Sequence, residues 1–275
     1  MFVLLAGPLF AQEAVPEPIP DSEPQDGTNV FGAVGNELQR YWFDTGYILS
    51  SPFRWDGREW MIAGASIASI AIVGYQDEHI DHAIQRHRSS QSDSFTKAVT
   101  PFGQEYALAF TVGTLGVGLV FKNPEIRDTG RDALEAELIA AGIITPVLKK
   151  VFGRERPFEG SDGDEFKFFA SGDNSFPSGH ATMAFALASV LSARSKGWVV
   201  PVISYTLAGS VAFARVHDRK HFASDVMAGG LIGTLVGRTV VHRNTPGEGK
   251  TTWMLVPLQT KGGAGIGIRF ETGGP

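Results

Sequence analysis

Residues 177–191 read PSGHATMAFALASVL. Pro177 stiffens the approach, Ser178 carries a hydroxyl suited to cap a helix, and Gly179 lets a ligand come close to the backbone. From His180 onward the run is Ala-rich and apolar, the composition of a helix packed closely against other helices. The first turn of such a helix aims unpaired N–H groups at whatever occupies the turn, which makes an anion site. His180 sits in that turn, placed to give a proton to a departing oxygen. A plain helix cap with an incidental histidine is the bland alternative.

Two flanking stretches carry complementary chemistry. On the N-terminal side, Lys149 and Arg156-Pro157 bracket a helix end marked by Gly153. Arginine offers phosphate a planar bidentate fork, and lysine acts as a point charge. The ordinary reading of such a cluster is a basic helix C-terminus favoured by the macrodipole, and Lys150 and Arg154 are assigned to it. On the C-terminal side, Arg215 follows an apolar helix, then come His221 and, four residues on, Asp225. That spacing puts histidine and carboxylate on one helical face if His221 begins the turn. A carboxylate at one ring nitrogen fixes the tautomer and leaves the other nitrogen as nucleophile or base. Ser224 is read as the cap of the last helix. His217, Asp218 and Lys220 are read as loop charges or helpers behind the site.

Composition limits the alternatives. The chain has 275 residues, no cysteine and a formal net charge of −5, so disulfides, thiolate chemistry and Cys-ligated metals are excluded. Basic residues are scattered and do not form a nucleic-acid footprint. No obligate protein partner is evident. No His/Asp/Glu cluster has convincing metal spacing.

Along the chain, residues 1–11 (MFVLLAGPLFA) resemble the apolar core of a secretory signal, although they lack a basic flank. Residues 12–30, with Pro16, Pro18, Pro20 and Pro24 among acidic residues, read as an extended linker. A helical domain is expected over 31–245. It begins with an amphipathic helix over 31–47 and continues with six apolar helices near 59–74, 105–121, 130–150, 180–194, 198–214 and 225–241. The polar stretch 77–100 reads as a further surface helix. The tail over 246–275 alternates in a β-like way and forms an extension. The fold class is therefore all-α, a six-helix core, membrane-embedded or membrane-associated.

The hydropathy pattern leaves membrane topology open. A span needs about 20 apolar residues, these runs are shorter, and the mean hydropathy is near zero. With alternating crossings, all three motifs fall on one side. Arg54, Arg58, Lys122, Arg127, Arg194, Lys196, Arg238 and Arg243 collect on the other. The positive-inside rule then makes the motif face extracytoplasmic. A cleaved signal would invert that arrangement, so a soluble periplasmic location stays open.

Taken together, the motifs resemble the type-2 phosphatidic acid phosphatase/haloperoxidase superfamily, whose signature runs K-x6-R-P, P-S-G-H, then S-R-x5-H-x3-D. Lys149 to Pro157, Pro177 to His180 and Arg215 to Asp225 match its spacing, with Ala214 standing where the family commonly has Ser. The resemblance covers roughly 59–241. It implies that His221 attacks phosphorus to form a phosphohistidine, that Asp225 orients it, and that His180 protonates the leaving alkoxide. It further implies that Lys149, Arg156, Ser178, Gly179 and Arg215 bind the phosphoryl oxygens, with no cofactor and no metal. The expected substrate is a phospholipid or polyprenyl phosphate at the membrane of the cell envelope. An exported soluble acid phosphatase, a vanadate-dependent haloperoxidase and a catalytically silent membrane protein are the alternatives.

Overall fold

The computed structural model describes residues 30–159, 166–169, 175–245, 252–260 and 263–271. The apolar segment over 1–11 and the Pro-rich stretch up to residue 29 lie outside the described residues. The chain divides into two compact units, Met1–Ser50 with His242–Pro275, and Ser51–Val241.

The first unit holds α1 (Val30–Ser50), the last residues of α10 (Ala223–Asn244), and a hairpin of β1 (Thr252–Thr260) and β2 (Gly263–Glu271). The two strands are antiparallel, with Thr252 opposite Glu271 and Thr260 opposite Gly263. The β-like alternation of the tail thus becomes a two-stranded sheet. In the same unit Arg243 Nε donates to the buried Asp44 Oδ1 at 2.5 Å, and the guanidinium lies 4.0 Å from the Tyr47 ring centroid.

The second unit is helical. Its first helix, α2 (Gly57–Tyr75), starts where Asp56 accepts from the N–H of Arg58 at 2.8 Å and of Glu59 at 3.1 Å. Glu59 returns a bond to the Asp56 N–H, completing a capping box. Residues 77–100, expected as one surface helix, form two: α3 (Asp77–Arg86) and α4 (Ser90–Val99). The break has a local cause. Ser89 and Ser92 exchange side-chain-to-backbone bonds in a second capping box, which starts a new helix three residues after the first ends. Nor is this stretch all surface, because Asp77, Asp81 and Thr96 are buried.

A 3-10 turn over Thr100–Gly103 leads into α5 (Glu105–Val120), followed by α6 (Pro124–Glu137). Asn123 caps α6, and Pro124 occupies its first turn, where a missing N–H costs nothing. The apolar run expected as one helix over 130–150 is interrupted by a π-helical segment, Leu138–Ile144, before α7 (Thr145–Phe152). Pro146 explains the interruption, since its ring and absent N–H break the regular ladder. Thr145 compensates by donating both its N–H and its hydroxyl, the latter at 2.9 Å, to the Ala140 carbonyl.

The centre of the unit is α8 (Gly179–Arg194), packed against α9 (Val199–His217) and α6. Ala184, Ala188, Ala208 and Val211 form the buried contact, flanked by Phe185 and Tyr205. Small residues let the backbones approach. A Cβ at Gly233 of α10 would come within 2.2 Å of the Thr182 carbonyl oxygen, and one at Gly229 within 2.5 Å of the Ser178 carbonyl oxygen. Arg194 of α8 ties back to α6 through Asp132 Oδ2 at 2.8 Å. Among the described residues, one helix, α9, is long and apolar enough to cross a membrane by length and composition, and α5 is a shorter apolar helix.

The close approach of α10 to α8 yields a stability prediction. Gly233→Ala forces backbone against backbone and is expected to destabilise by about 1–3 kcal/mol, seen as a lower thermal midpoint by circular dichroism. Gly209→Ala, where an added Cβ meets nothing within 4 Å, serves as the control and should be neutral or slightly stabilising.

Candidate active site

Three loop junctions at one end of the helical unit bring the motif residues together. α7 stops because Gly153 adopts a left-handed φ of +52°, and a Cβ there would lie 2.1 Å from the Lys167 carbonyl oxygen. Lys149 stands in the last turn of α7, and Arg156 lies on the exit loop just before Pro157. Ser178 caps α8, with its Oγ facing the Ala181 N–H at 3.5 Å. Beyond α9 the chain turns tightly, and the N–H groups of Lys220 and His221 both donate to the Arg215 carbonyl, at 3.0 and 3.1 Å. That double bond to one carbonyl sets His221 beside Arg215.

His221 is 3% exposed. Its Nδ1 lies 2.8 Å from the carbonyl oxygen of Ser175. A carbonyl only accepts, so Nδ1 carries the proton, and Nε2 is left with its lone pair. Asp225 Oδ2 is 3.6 Å from the same Nδ1, too far for a hydrogen bond, so the carboxylate acts on the ring through its charge. Burial pushes the His221 imidazole down to about 4. Asp225 pulls the other way, and the charges of Lys149 and Arg215 push in the same direction as burial.

Asp225 is fully buried and held from four sides. It accepts from Ser175 Oγ at 2.5 Å, from the Phe222 N–H at 2.8 Å and from Arg154 Nη1 at 2.6 Å, and the His221 Nδ1–H lies on its fourth side at 3.6 Å. The helix begins at Ala223, so Ser224 is not its cap as the sequence reading has it. The Asp225 carboxylate occupies the Phe222 N–H instead, and the Ser224 hydroxyl is turned inward.

What it meets there is Arg154, and this corrects a second expectation. Arg154 is not an ordinary basic residue at a helix end. It is 2% exposed, donates to Ser224 Oγ at 2.7 Å and to Asp77 Oδ2 at 2.8 Å, and lies 4.3 Å from the Phe222 ring centroid. Asp77 also receives the Ser224 N–H at 2.9 Å and the Ser224 hydroxyl. Burial draws Asp77 above the usual carboxylate range, against the pull of Ser224 and Arg154. Lys150, by contrast, is exposed at the end of α7, as an ordinary basic residue of a helix terminus would be.

Facing this anchored pair is a set of cations. Lys149 and Arg215 act electrostatically on both His180 and His221, and Arg156 acts on His180. Arg215 is 9% exposed, and its Nε meets no acceptor among the described residues. Ser178, fully buried, accepts at the cap and keeps its own hydroxyl proton to donate. At Gly179 neither packing nor strain demands glycine, because an added Cβ would meet only Thr145 Cγ2 at 3.8 Å. The space there is open to a ligand. Such a pocket can bind a tetrahedral oxyanion and present an unprotonated imidazole to it.

Four residues outside the sequence motifs complete the arrangement: Asp77, Gly103, Arg154 and Ser175. Ser175 lies in the loop between the first two motifs, and it accepts from His221 through its carbonyl and donates to Asp225 through its hydroxyl. A Cβ at Gly103 would come within 2.9 Å of His180 Cβ, so that glycine lets the 100–103 turn pack on the histidine. No local pattern marks these four. Only their distance from Pro177 or Arg156 in sequence hints at Ser175 and Arg154.

The family model of the PAP2 superfamily matches residues 134–246. A lipid A 1-phosphatase from Porphyromonas gingivalis is 30% identical over 166 residues, which is 58% of this chain and 34% of the relative. The chain thus spans about a third of the length of that curated relative. Among solved structures, a transmembrane PAP2 type phosphatidylglycerolphosphate phosphatase from Bacillus subtilis shares the fold, with a TM-score of 0.52 and 23% identity. The match covers 64% of this chain and 92% of that one. LpxE from Aquifex aeolicus, also 23% identical, aligns over 60% of this chain and 94% of its own, with a TM-score of 0.47.

Two predictions follow from the buried network. Arg154→Met leaves Asp77 and Asp225 buried without their cation and is expected to cost about 3–5 kcal/mol in chemical denaturation. Adding Asp77→Asn should cost less than the sum of the two single changes. Separately, the folded chain keeps His221 neutral down to about 4, while the unfolded chain protonates it near 6.5. Its contribution to stability is therefore complete above pH 6.5 and lost as pH falls from 6.5 toward 4. The thermal midpoint of the wild type should fall more steeply across that window than that of His221→Gln.

Proposed function

We propose that this chain, whose residues 134–246 match the PAP2 superfamily model, is a metal-independent phosphatase whose nucleophile is His221. The observation that carries the reading is the bond from His221 Nδ1–H to the Ser175 carbonyl, which leaves Nε2 unprotonated among buried cations. Nε2 attacks phosphorus in line, the bond to the leaving alkoxide breaks, and a phosphohistidine forms. Lys149, Arg156, Arg215, the Ser178 hydroxyl and the Gly179 N–H hold the phosphoryl oxygens and balance the charge that develops on them. Asp225 stabilises the imidazolium character that builds on His221.

His180 supplies the leaving oxygen with its proton. In the empty pocket burial disfavours that proton, as do the charges of Arg215, His221, Lys149 and Arg156. A bound phosphate dianion reverses the local field, so His180 takes up its proton together with the substrate. In the second half of the cycle neutral His180 accepts a proton from water, the water oxygen attacks the phosphohistidine, and inorganic phosphate leaves.

The proposed substrate is a lipid phosphate or diphosphate of the cell envelope, hydrolysed at a membrane with the pocket on the extracytoplasmic side. Support comes from the lipid phosphates in the names of the two phosphatases and from the surface of the helical unit. Ile67 and Ile72 on α2, Val112 and Leu119 on α5, and Val202 and Ile203 on α9 are each more than half exposed. Such apolar faces suit lipid better than water. Trp60 and Trp198 stand near the ends of α2 and α9, where interfacial aromatics reside.

The test is hydrolysis of a panel of lipid phosphates, with and without EDTA. His221→Ala is expected to lose roughly 10³-fold or more in kcat. His180→Ala should lose about 10²–10⁴-fold on alkyl phosphates and much less on p-nitrophenyl phosphate, whose leaving group needs no proton. EDTA-sensitive turnover, or full activity in His221→Ala, would refute the mechanism.

A further inference from the structure

Beside the phosphoryl pocket lies a second cleft of about 410 Å³, lined among others by Arg88, Asp93, Lys97, Asp218 and Lys220. No motif residue contributes to it. Three connections place it next to the histidines. Lys220 precedes His221 directly in the chain. Thr100 and Pro101 form another wall and belong to the turn whose Gly103 packs on His180. Phe158 is shared, since the Lys220 ammonium lies 4.5 Å from its ring centroid and the Arg156 guanidinium 5.9 Å.

The charges in the cleft are not balanced. Asp93 is engaged by Arg88 at 2.7 Å. Asp218 accepts from Thr96 Oγ1 and from His217 Nδ1, each at 3.0 Å. The buried His217 thus holds Asp218 from behind the cleft's wall. The two carboxylates are thus occupied, while Lys97 and Lys220 have no carboxylate partner among the described residues. With Arg88, Lys97 and Lys220 against Asp93 and Asp218, the cleft carries net positive charge and has room for an anion larger than water.

We propose that this cleft binds a second anionic group, a phosphate or phosphodiester, of the same substrate molecule whose scissile phosphate sits at His221. The inference rests on the phosphatase reading for the identity of the first pocket. A substrate that is anionic at two points engages both pockets at once, and the second contact raises affinity through effective concentration. A lipid with a single phosphate fills only the first. The cleft thus selects headgroups that carry an additional anion near the monoester.

Non-hydrolysable probes test this at equilibrium with the full chain. Binding of methylphosphonate is compared with that of alkanediyl bisphosphonates over a ladder of linker lengths. In the wild type one linker length should bind about tenfold more tightly than methylphosphonate, with the gain shrinking as salt rises. In Lys97→Ala/Lys220→Ala the ratio of bisphosphonate to methylphosphonate affinity should fall toward one, and Lys97→Glu should lower it as well. A flat ladder in the wild type, or a ratio that survives the substitutions, overturns the proposal. Methylphosphonate and inorganic phosphate binding together, with no optimal linker, also overturns it, in favour of a separate site for free phosphate. Hydrolysis of p-nitrophenyl phosphate separates the two readings. An active protein with a flat ladder keeps the phosphatase and loses the cleft. An inert protein with a length optimum keeps the cleft and loses the phosphatase.

Discussion

One buried guanidinium organises the chemical end of this protein. Arg154 joins Asp77 at the start of α3 to Ser224 and Asp225 at the start of α10, and its own carbonyl receives the Ser175 N–H at 2.9 Å. Two carboxylates sealed from water need the hydrogen bonds of the one cation between them, and the buried cation needs both carboxylates. Everything next to His221, the proposed nucleophile, inherits its position from that knot. Asp225 is fixed, Ser175 is fixed to Asp225, and His221 is fixed to Ser175.

The anchor lies away from the cations that face the ligand, and the separation has a physical logic. Lys149, Arg156 and Arg215 repel one another and all three act on His180, so a pocket made of them alone would spread apart or draw in a carboxylate. The Arg154 knot spends its carboxylates internally. Asp225 has its hydrogen bonds taken up within the knot, and the neutral His221 imidazole remains in the field of Lys149 and Arg215. A phosphate dianion is the ligand that such a field favours most.

Packing supplies the rigidity this arrangement needs. α10 approaches α8 through Gly229 and Gly233, which brings the Asp225 carbonyl within 3.0 Å of the Ser178 N–H. The cap of α8 and the carboxylate behind His221 are thereby held in one frame. Gly103 does the same for His180, because the 100–103 turn seats directly on that histidine. A site assembled from helix ends keeps its geometry only while the helices beneath it cannot slide.

The helices, their apolar faces and the three motifs could be read from local pattern, because periodicity, capping residues and loop glycines act over a few neighbours. Lys149, Arg156, Ser178, His180, Arg215, His221 and Asp225 were legible for that reason. The roles of Arg154, Asp77, Ser175 and Ser224 were not. The sequence places Arg154 among basic residues at a helix end and Asp77 at the head of a polar stretch. Their partners lie 71 and 77 residues away along the chain. The split of 77–100 into α3 and α4 was a local matter of Ser89 and Ser92, visible in principle but outvoted by the continuous polar composition. Sequence alone determined which residue types stand ready for phosphate chemistry. Tertiary structure alone decided which arginine is buried behind His221 and paired with Asp77 and Asp225, because burial and long-range pairing, not local spacing, set the cost of each charge.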